Sequence, residues 1–162
     1  MPDTPPPLLQ RSPTDGASLA TIHEQYRSFV ASADAVTARR AAASQFYLSV
    51  NTAVLSLAGF TATRVDLAEW TLVTAAAGAL VATVWALTLT SYGRLNAAKF
   101  QVIHEFEKHL PAAPYTVEWH HANVAARGGY RPVSGLERAI PVLFAALYVA
   151  LGVLGAAHVA AP

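Results

Sequence analysis

Four histidines fall in one stretch of the chain: His104, His109, His120 and His121, with Glu105 and Glu118 beside them. Imidazole nitrogens and carboxylates are common ligands of zinc and related ions. Glu105 and His109 are four residues apart, so on a helix they share a face and could both ligate one metal. The wider pattern argues against it. No two histidines are spaced four apart to stack over one turn, and the adjacent His120 and His121 point apart on a helix. Glu105 and Glu107, two apart, do not face each other either, so they do not form the carboxylate pair that acid–base work would use. The chain has no cysteine, which removes thiolate ligands, disulfides and a cysteine nucleophile. The cluster reads as the polar surface of a solvated helix, and no catalytic residue, cofactor site or metal site is expected. Trp119, next to Glu118, could anchor its segment at a membrane interface, where an amphipathic ring is at home, or bind a partner, and anchoring is the expected role.

The elements that position these residues are set by hydrophobicity. Of 162 residues, 54% are hydrophobic and only 13% charged, about half the charge of an ordinary soluble domain, which is roughly 25%. The deficit is local. Ala41 to Thr63, Trp70 to Gly93 and Ala139 to Pro162 contain no Asp, Glu, Lys or Arg. Each is longer than the ~20 residues a helix needs to cross the ~30 Å hydrocarbon layer. The sequence therefore predicts an all-α integral membrane protein with three transmembrane helices, over about 41–63, 70–93 and 139–160. Trp70 and Tyr92 flank the second span, as interfacial aromatics do. The net charge of +1 leaves no broad basic face for nucleic acid, and the opening residues lack the pattern of a signal peptide. The Pro-rich segment 1–17 reads as a disordered tail and 18–162 as a single helical membrane domain.

Ten of the eleven Lys and Arg residues lie before the first span or between the second and third, and only Arg64 lies in the first loop. Cations favour the cytoplasmic side, so the N-terminus and the 94–138 region are expected in the cytoplasm and the C-terminus outside. Spans one and two form a hairpin. Asp66 with Glu69, and Ser134 with Glu137, have the spacing of capping boxes. Pro141 predicts a kink, or a short interfacial helix that breaks before the third span. Leu19, Ile22, Tyr26, Phe29, Val30 and Ala33 make Ser18 to Ala38 an amphipathic helix, followed by Arg39 and Arg40, where cations can meet anionic lipid headgroups. The second helix is expected to run from about Leu67 to Leu110, carrying Leu95, Val102, Ile103, Phe106 and Leu110 as an apolar stripe against Ser18–Ala38. Beyond Pro111, Thr116 can cap a short helix to about Ala126, closed by Gly128 and Gly129.

Within the spans, Asn51 is the strong polar group. It needs a partner, either a hydrogen bond between helices or a polar ring lining a pore in an oligomer. Small residues form stripes that let backbones approach in lipid: Ser49, Thr52, Ala53, Ser56 and Gly59 in span one, Thr74, Gly78 and Ala82 in span two, Gly152 and Gly155 in span three.

Trp85, Ser91-Tyr92, Leu95-Asn96, Lys99-Phe100, Ile103, Glu105, Glu107, Leu110-Pro111 and Glu118-Trp119, with the segment from Phe46 to Asn51, resemble the RipA-type family of small octameric bacterial inner-membrane proteins. The likeness covers about the middle half of the chain. It implies a non-enzymatic, ring-like homo-oligomer in a bacterial cytoplasmic membrane, with Tyr92 to Trp119, including Leu95, Lys99, Phe100, Ile103, Phe106 and Trp119, in the cytoplasmic subunit contacts. It supplies no catalytic residue. The expected function is that of a structural or channel-like membrane homo-oligomer, whose partners are membrane lipid and further copies of the chain, with no identifiable small-molecule ligand. The alternatives are a pore-forming effector of a bacterial conflict or anti-phage system and a monomeric membrane adaptor.

Overall fold

A computed structural model describes residue 8 and residues 16–63, 68–127 and 133–160. Among these, four helices hold nearly every residue and there is no strand. Helix α1 spans Gly16–Ala62, α2 Ala68–Glu107, α3 Pro114–Arg127 and α4 Val133–Ala160. Two of the helices are long and apolar enough to cross a membrane, Glu69–Glu107 and Glu137–Ala160. Helix α1 is not among them. Gln45, Ser49, Asn51, Thr52 and Ser56 dilute its apolar half.

The amphipathic segment Ser18–Ala38 and the first expected span are one helix of 47 residues, because nothing between Ala38 and Ala41 breaks helical geometry. Helix α2, with 40 residues, would be roughly 60 Å long at 1.5 Å per residue, about twice the hydrocarbon thickness. Helix α4 runs unbroken through Pro141, so there is no separate interfacial helix before it. Asp66 and the Gly128-Gly129 stop lie outside the described residues, as do Arg64 and most of the Pro-rich tail.

The chain divides into two compact units. One comprises Met1–Ala38 with Gly93–Arg131, the other Arg39–Tyr92 with Pro132–Pro162. In the first, the start of α1 packs on the end of α2. Phe106 meets Tyr26 edge-on at 6.3 Å and Phe29 at 6.1 Å between ring centroids, and Ile22, Ala33, Val36 and Ile103 are buried. This contact is made within one chain. In the second unit, α1, α2 and α4 pack through Ala58, Ala75, Ala82, Trp85, Leu89 and Tyr148. Gly78 belongs to this contact for a steric reason. A Cβ there would overlap the Tyr148 ring, so only glycine lets α4 lie this close.

In the second unit the inward line of α2 runs Thr71, Ala75, Gly78, Ala82, Trp85 and Leu89, all buried, to half-buried Tyr92; in the first unit it runs through half-buried Asn96 and Lys99 to buried Ile103 and Phe106. Within each unit the steps alternate between three and four, a period near 3.5 that suits helices packed side by side. This line leaves Leu95 outside the stripe, 46% exposed. The expectation that Leu95 packs with Ile103 and Phe106 is corrected: Asn96 takes its place.

Candidate functional site

Helix α3 begins in a way that creates a demand. Pro114 takes its first turn, where a missing N–H costs nothing, and the Val117 amide donates to the Ala113 carbonyl at 3.1 Å. Ala113 therefore stands at the capping position, yet its methyl cannot accept the amides of Tyr115 and Thr116. Glu107, from the last turn of α2, supplies the missing acceptor. Its Oε1 accepts the Tyr115 amide at 2.8 Å and the Tyr26 hydroxyl at 3.2 Å. Its Oε2 accepts the Thr116 amide at 2.8 Å and the Thr116 hydroxyl at 2.6 Å. The four donors use the four lone pairs of the carboxylate. The side chain is 1% exposed, and the positive end of the α3 dipole faces it. Thr116 is thus not the cap of α3. It is the third residue of the helix, held by the residue that does the capping.

This position lies beyond the apolar stretch of α2, which ends near Gly93. Burial by itself would push the Glu107 carboxyl up. The Thr116 hydroxyl, the two amides and the Tyr26 hydroxyl outweigh burial and hold it below the usual carboxylate range. The effect on Tyr26 is opposite: burial first, then the Glu107 charge, push its phenol up to about 12. His104 Nδ1 lies 3.0 Å from the Thr116 hydroxyl. Since that hydroxyl gives its one proton to Glu107, the imidazole is the donor to it. A cleft of about 260 Å³ opens beside this joint, lined by His104, Glu107, Lys108, Ala113, Thr116 and Trp119. Lys108 is engaged by Glu105 at 2.6 Å, and a carboxylate with every lone pair used is a fastener rather than a base.

The other histidines do not converge here. His120 and His121 form an edge-on pair at 6.0 Å, and His109 lies past the end of α2, so Glu105 and His109 do not share a helical turn. No group of three or more His, Asp or Glu side chains suited to a metal ion occurs among the described residues. Lys99 donates to the Ser32 hydroxyl at 2.6 Å and sits 4.8 Å from the centre of the Phe29 ring, a cation–π contact. Phe100 packs edge-on against Tyr115 at 5.8 Å. Trp119 is 61% exposed.

In the second unit Asn51 is fully buried. Its Nδ2 donates to the Tyr47 carbonyl of its own helix at 2.8 Å. The link between helices comes from its backbone instead, whose carbonyl accepts the Tyr148 hydroxyl of α4 at 2.8 Å. Tyr47 stacks on Trp85 at 6.3 Å and 15°, and Trp85 leans on Phe144 at 6.1 Å. Asn51 Oδ1 and Trp85 Nε1 are buried here with no hydrogen-bond partner. Asn51 is therefore enclosed by its own chain. At one edge of the unit Arg40 forms an ion pair with Glu137. Arg40 is thus engaged by protein, and Glu137 reaches α1.

The small-residue stripes divide. Gly78 and Ala82 are interior, and Gly155 sits 3.3 Å from Thr71 by where its Cβ would fall. Ser49, Thr52, Ala53 and Ser56 face outward, and nothing lies within 4 Å of where a Gly59 Cβ would be. The sequence reading missed Glu107 as a joint. Its signal was indirect: a helix start whose capping residue, Ala113, cannot cap.

No curated protein and no solved structure matches the chain. A family model described as the octameric membrane protein family (8xMP) matches residues 23–157, which takes in both units and the stretch that resembles the RipA-type proteins. Described residues that form helices and no strand, two membrane-length apolar helices and a family match over most of the chain's length lead to one conclusion: the protein belongs to the octameric membrane protein family.

Proposed function

We propose that the chain is a non-enzymatic, three-span protein of a bacterial cytoplasmic membrane that assembles from several copies and has a structural or channel-like role. The family match over residues 23–157 carries this reading. The third span would be the second half of α1. It holds no charge from Ala41 to Ala62. The hydroxyls of Ser49, Thr52 and Ser56 are satisfied by their own helix: Ser49 donates to the Gln45 carbonyl at 3.0 Å, and Thr52 and Ser56 donate to the Leu48 and Thr52 carbonyls at 2.8 Å. Such back-bonding makes Ser and Thr tolerable in lipid. Phe46, Leu57 and Phe60 project outward beside them. The distribution of Lys and Arg supports a cytoplasmic N-terminus and 94–138 region and an external C-terminus. No Asp, Glu, Lys or Arg lies within the three segments, unlike the pathways of ion-coupled transporters.

Native mass spectrometry of the protein in lipid nanodiscs tests the reading. A discrete multi-copy mass is expected, at eight copies if the family description extends to this chain. A monomer across lipids would overturn it and leave an adaptor that acts through other partners. Liposome flux measurements on the assembly then separate a channel, which leaks a defined ion, from a structural ring, which does not.

A further inference from the structure

The interior of the second unit holds two polar atoms with complementary needs. Asn51 Oδ1 is a buried acceptor without a donor, and Trp85 Nε1 is a buried donor without an acceptor. Both residues are interior: Asn51 is fully buried and Trp85 is 2% exposed. A polar group kept from solvent without a partner is costly, and folded proteins leave few of them.

The orientation of the Asn51 amide is fixed. Its Nδ2 donates to the Tyr47 carbonyl at 2.8 Å, and turning the amide over would set one oxygen against another. Oδ1 therefore needs a donor from elsewhere. The backbone amides around it are taken up by the helices themselves. The Tyr148 hydroxyl is spent on the Asn51 carbonyl at 2.8 Å. Among the described residues of this unit, the buried side-chain donors left over are Trp85 Nε1 and Arg40 Nε. Arg40 lies about three turns, roughly 16 Å, before Asn51 on the same helix. Trp85 is at hand. Tyr47, one turn before Asn51, stacks on its ring at 6.3 Å and 15°.

The direction of the side chains brings the two together. Tyr148 reaches both Asn51 and Gly78, while Tyr47 meets Trp85, so α2 runs antiparallel to α1 here. A helical side chain leans toward the N-terminus of its own helix. Asn51 therefore leans back toward the level of Tyr47, and Trp85 leans toward the level of Asn51. Both point into one cluster, closed by Tyr47, Phe144 and Tyr148.

We infer that one water molecule is held in this cluster, accepting the Trp85 indole N–H and donating to Asn51 Oδ1, and that α1 and α2 are tied through it. The two protein groups do not bond each other directly, and they call for an occupant that accepts on one side and donates on the other. Buried waters take such places, bridging polar groups that the packing leaves over. An ion does not fit, because Asn51, Trp85, Phe144 and the two tyrosines offer it no opposite charge.

The test uses the full chain in detergent micelles, with isotopically labelled tryptophan. Its indole N–H resonances come from Trp70, Trp85 and Trp119, and Trp85→Phe identifies one of them by removing it. Cross-relaxation between water and each indole proton is then recorded by NMR. The Trp85 proton is expected to show a cross-peak to water although its ring is buried. Asn51→Leu should abolish that cross-peak and shift the Trp85 indole proton upfield, as loss of a hydrogen bond does. Absence of the cross-peak in the parent protein would overturn the inference. If the proton still shifts upfield in Asn51→Leu, the bond between the two groups is direct. A cross-peak that survives unchanged in Asn51→Leu would overturn it too, because the indole would meet water without Asn51. Unmoved Trp70 and Trp119 resonances report that the variant folds, and Asn51→Val takes its place if they move. The readout does not depend on how many copies assemble.

Discussion

Glu107 shows how one side chain can hold three helices of a unit in register. It belongs to α2, caps α3 and takes a hydroxyl from α1. Hydrogen bonds to a charged group are worth about 1.5–3 kcal/mol each, and a buried donor left unpaired costs a comparable amount. Glu107→Ala should therefore destabilise this unit by about 3 kcal/mol or more, and Glu107→Gln by less, since one acceptor oxygen survives. The pH dependence follows from the two shifted groups. Glu107 has a folded pKa below its unfolded value, so its contribution is complete above about pH 4.3 and is lost as pH falls below that. Tyr26 is raised to about 12, so its contribution is complete below about pH 10 and is lost between there and 12. Thermal unfolding followed by circular dichroism across pH should show both limbs. Glu107→Gln should flatten the acid limb, and Tyr26→Phe the alkaline one. An acid limb of the same depth in Glu107→Gln would show that other carboxylates carry it.

At the scale of elements, two helix contacts depend on what a residue lacks. Ala113 lacks a capping oxygen, which is why α3 needs Glu107. Ala113→Ser gives α3 a cap of its own and should recover about 1 kcal/mol in the Glu107→Gln background, while adding little to the parent, where the amides are already satisfied. Unfolding midpoints of the four proteins would reveal this as non-additivity. Gly78 lacks a Cβ, which is why α2 and α4 approach through the Tyr148 ring. Gly78→Val should cost about 1–3 kcal/mol through overpacking, and Tyr148→Leu should relieve part of that cost. The relief would be incomplete, because Tyr148 also gives its hydroxyl to the Asn51 carbonyl, and a polar group left without a partner in a membrane interior is expensive.

For the whole molecule, the open quantities are orientation and assembly. Single-cysteine variants decide the first. With Ser28→Cys and Glu69→Cys, both at exposed positions, a membrane-impermeant thiol reagent applied to intact cells should label position 69 alone. Labelling of position 28 without position 69 would reverse the topology. Labelling of both would remove the α1 span between them. The assembled state sets the meaning of every exposed residue described here, since Trp119, Leu95, Ser49, Thr52 and Ser56 are exposed in a single chain.

The amino-acid sequence alone determined an all-helical class, the family and the long apolar stretches of α2 and α4, because backbone hydrogen bonds in hydrocarbon admit little else and uncharged runs need no tertiary knowledge to find. It also marked Ile22, Tyr26, Phe29, Ile103 and Phe106 as one packing surface, by their spacing. Three matters were decided only when the helices packed. In the first unit α2 buries part of Asn96 and leaves Leu95 exposed, a choice made by what packs against the helix and not by local spacing. The role of Glu107 appeared only once the α2–α3 turn brought Tyr115 and Thr116 onto it, since nothing local pairs a carboxylate with amides eight and nine residues away. Asn51 is enclosed rather than displayed because Tyr148, 97 residues distant in the chain, closes over its carbonyl. Local chemistry specifies the helices; contacts far apart in sequence decide which of their faces are interior and which are left to a neighbour.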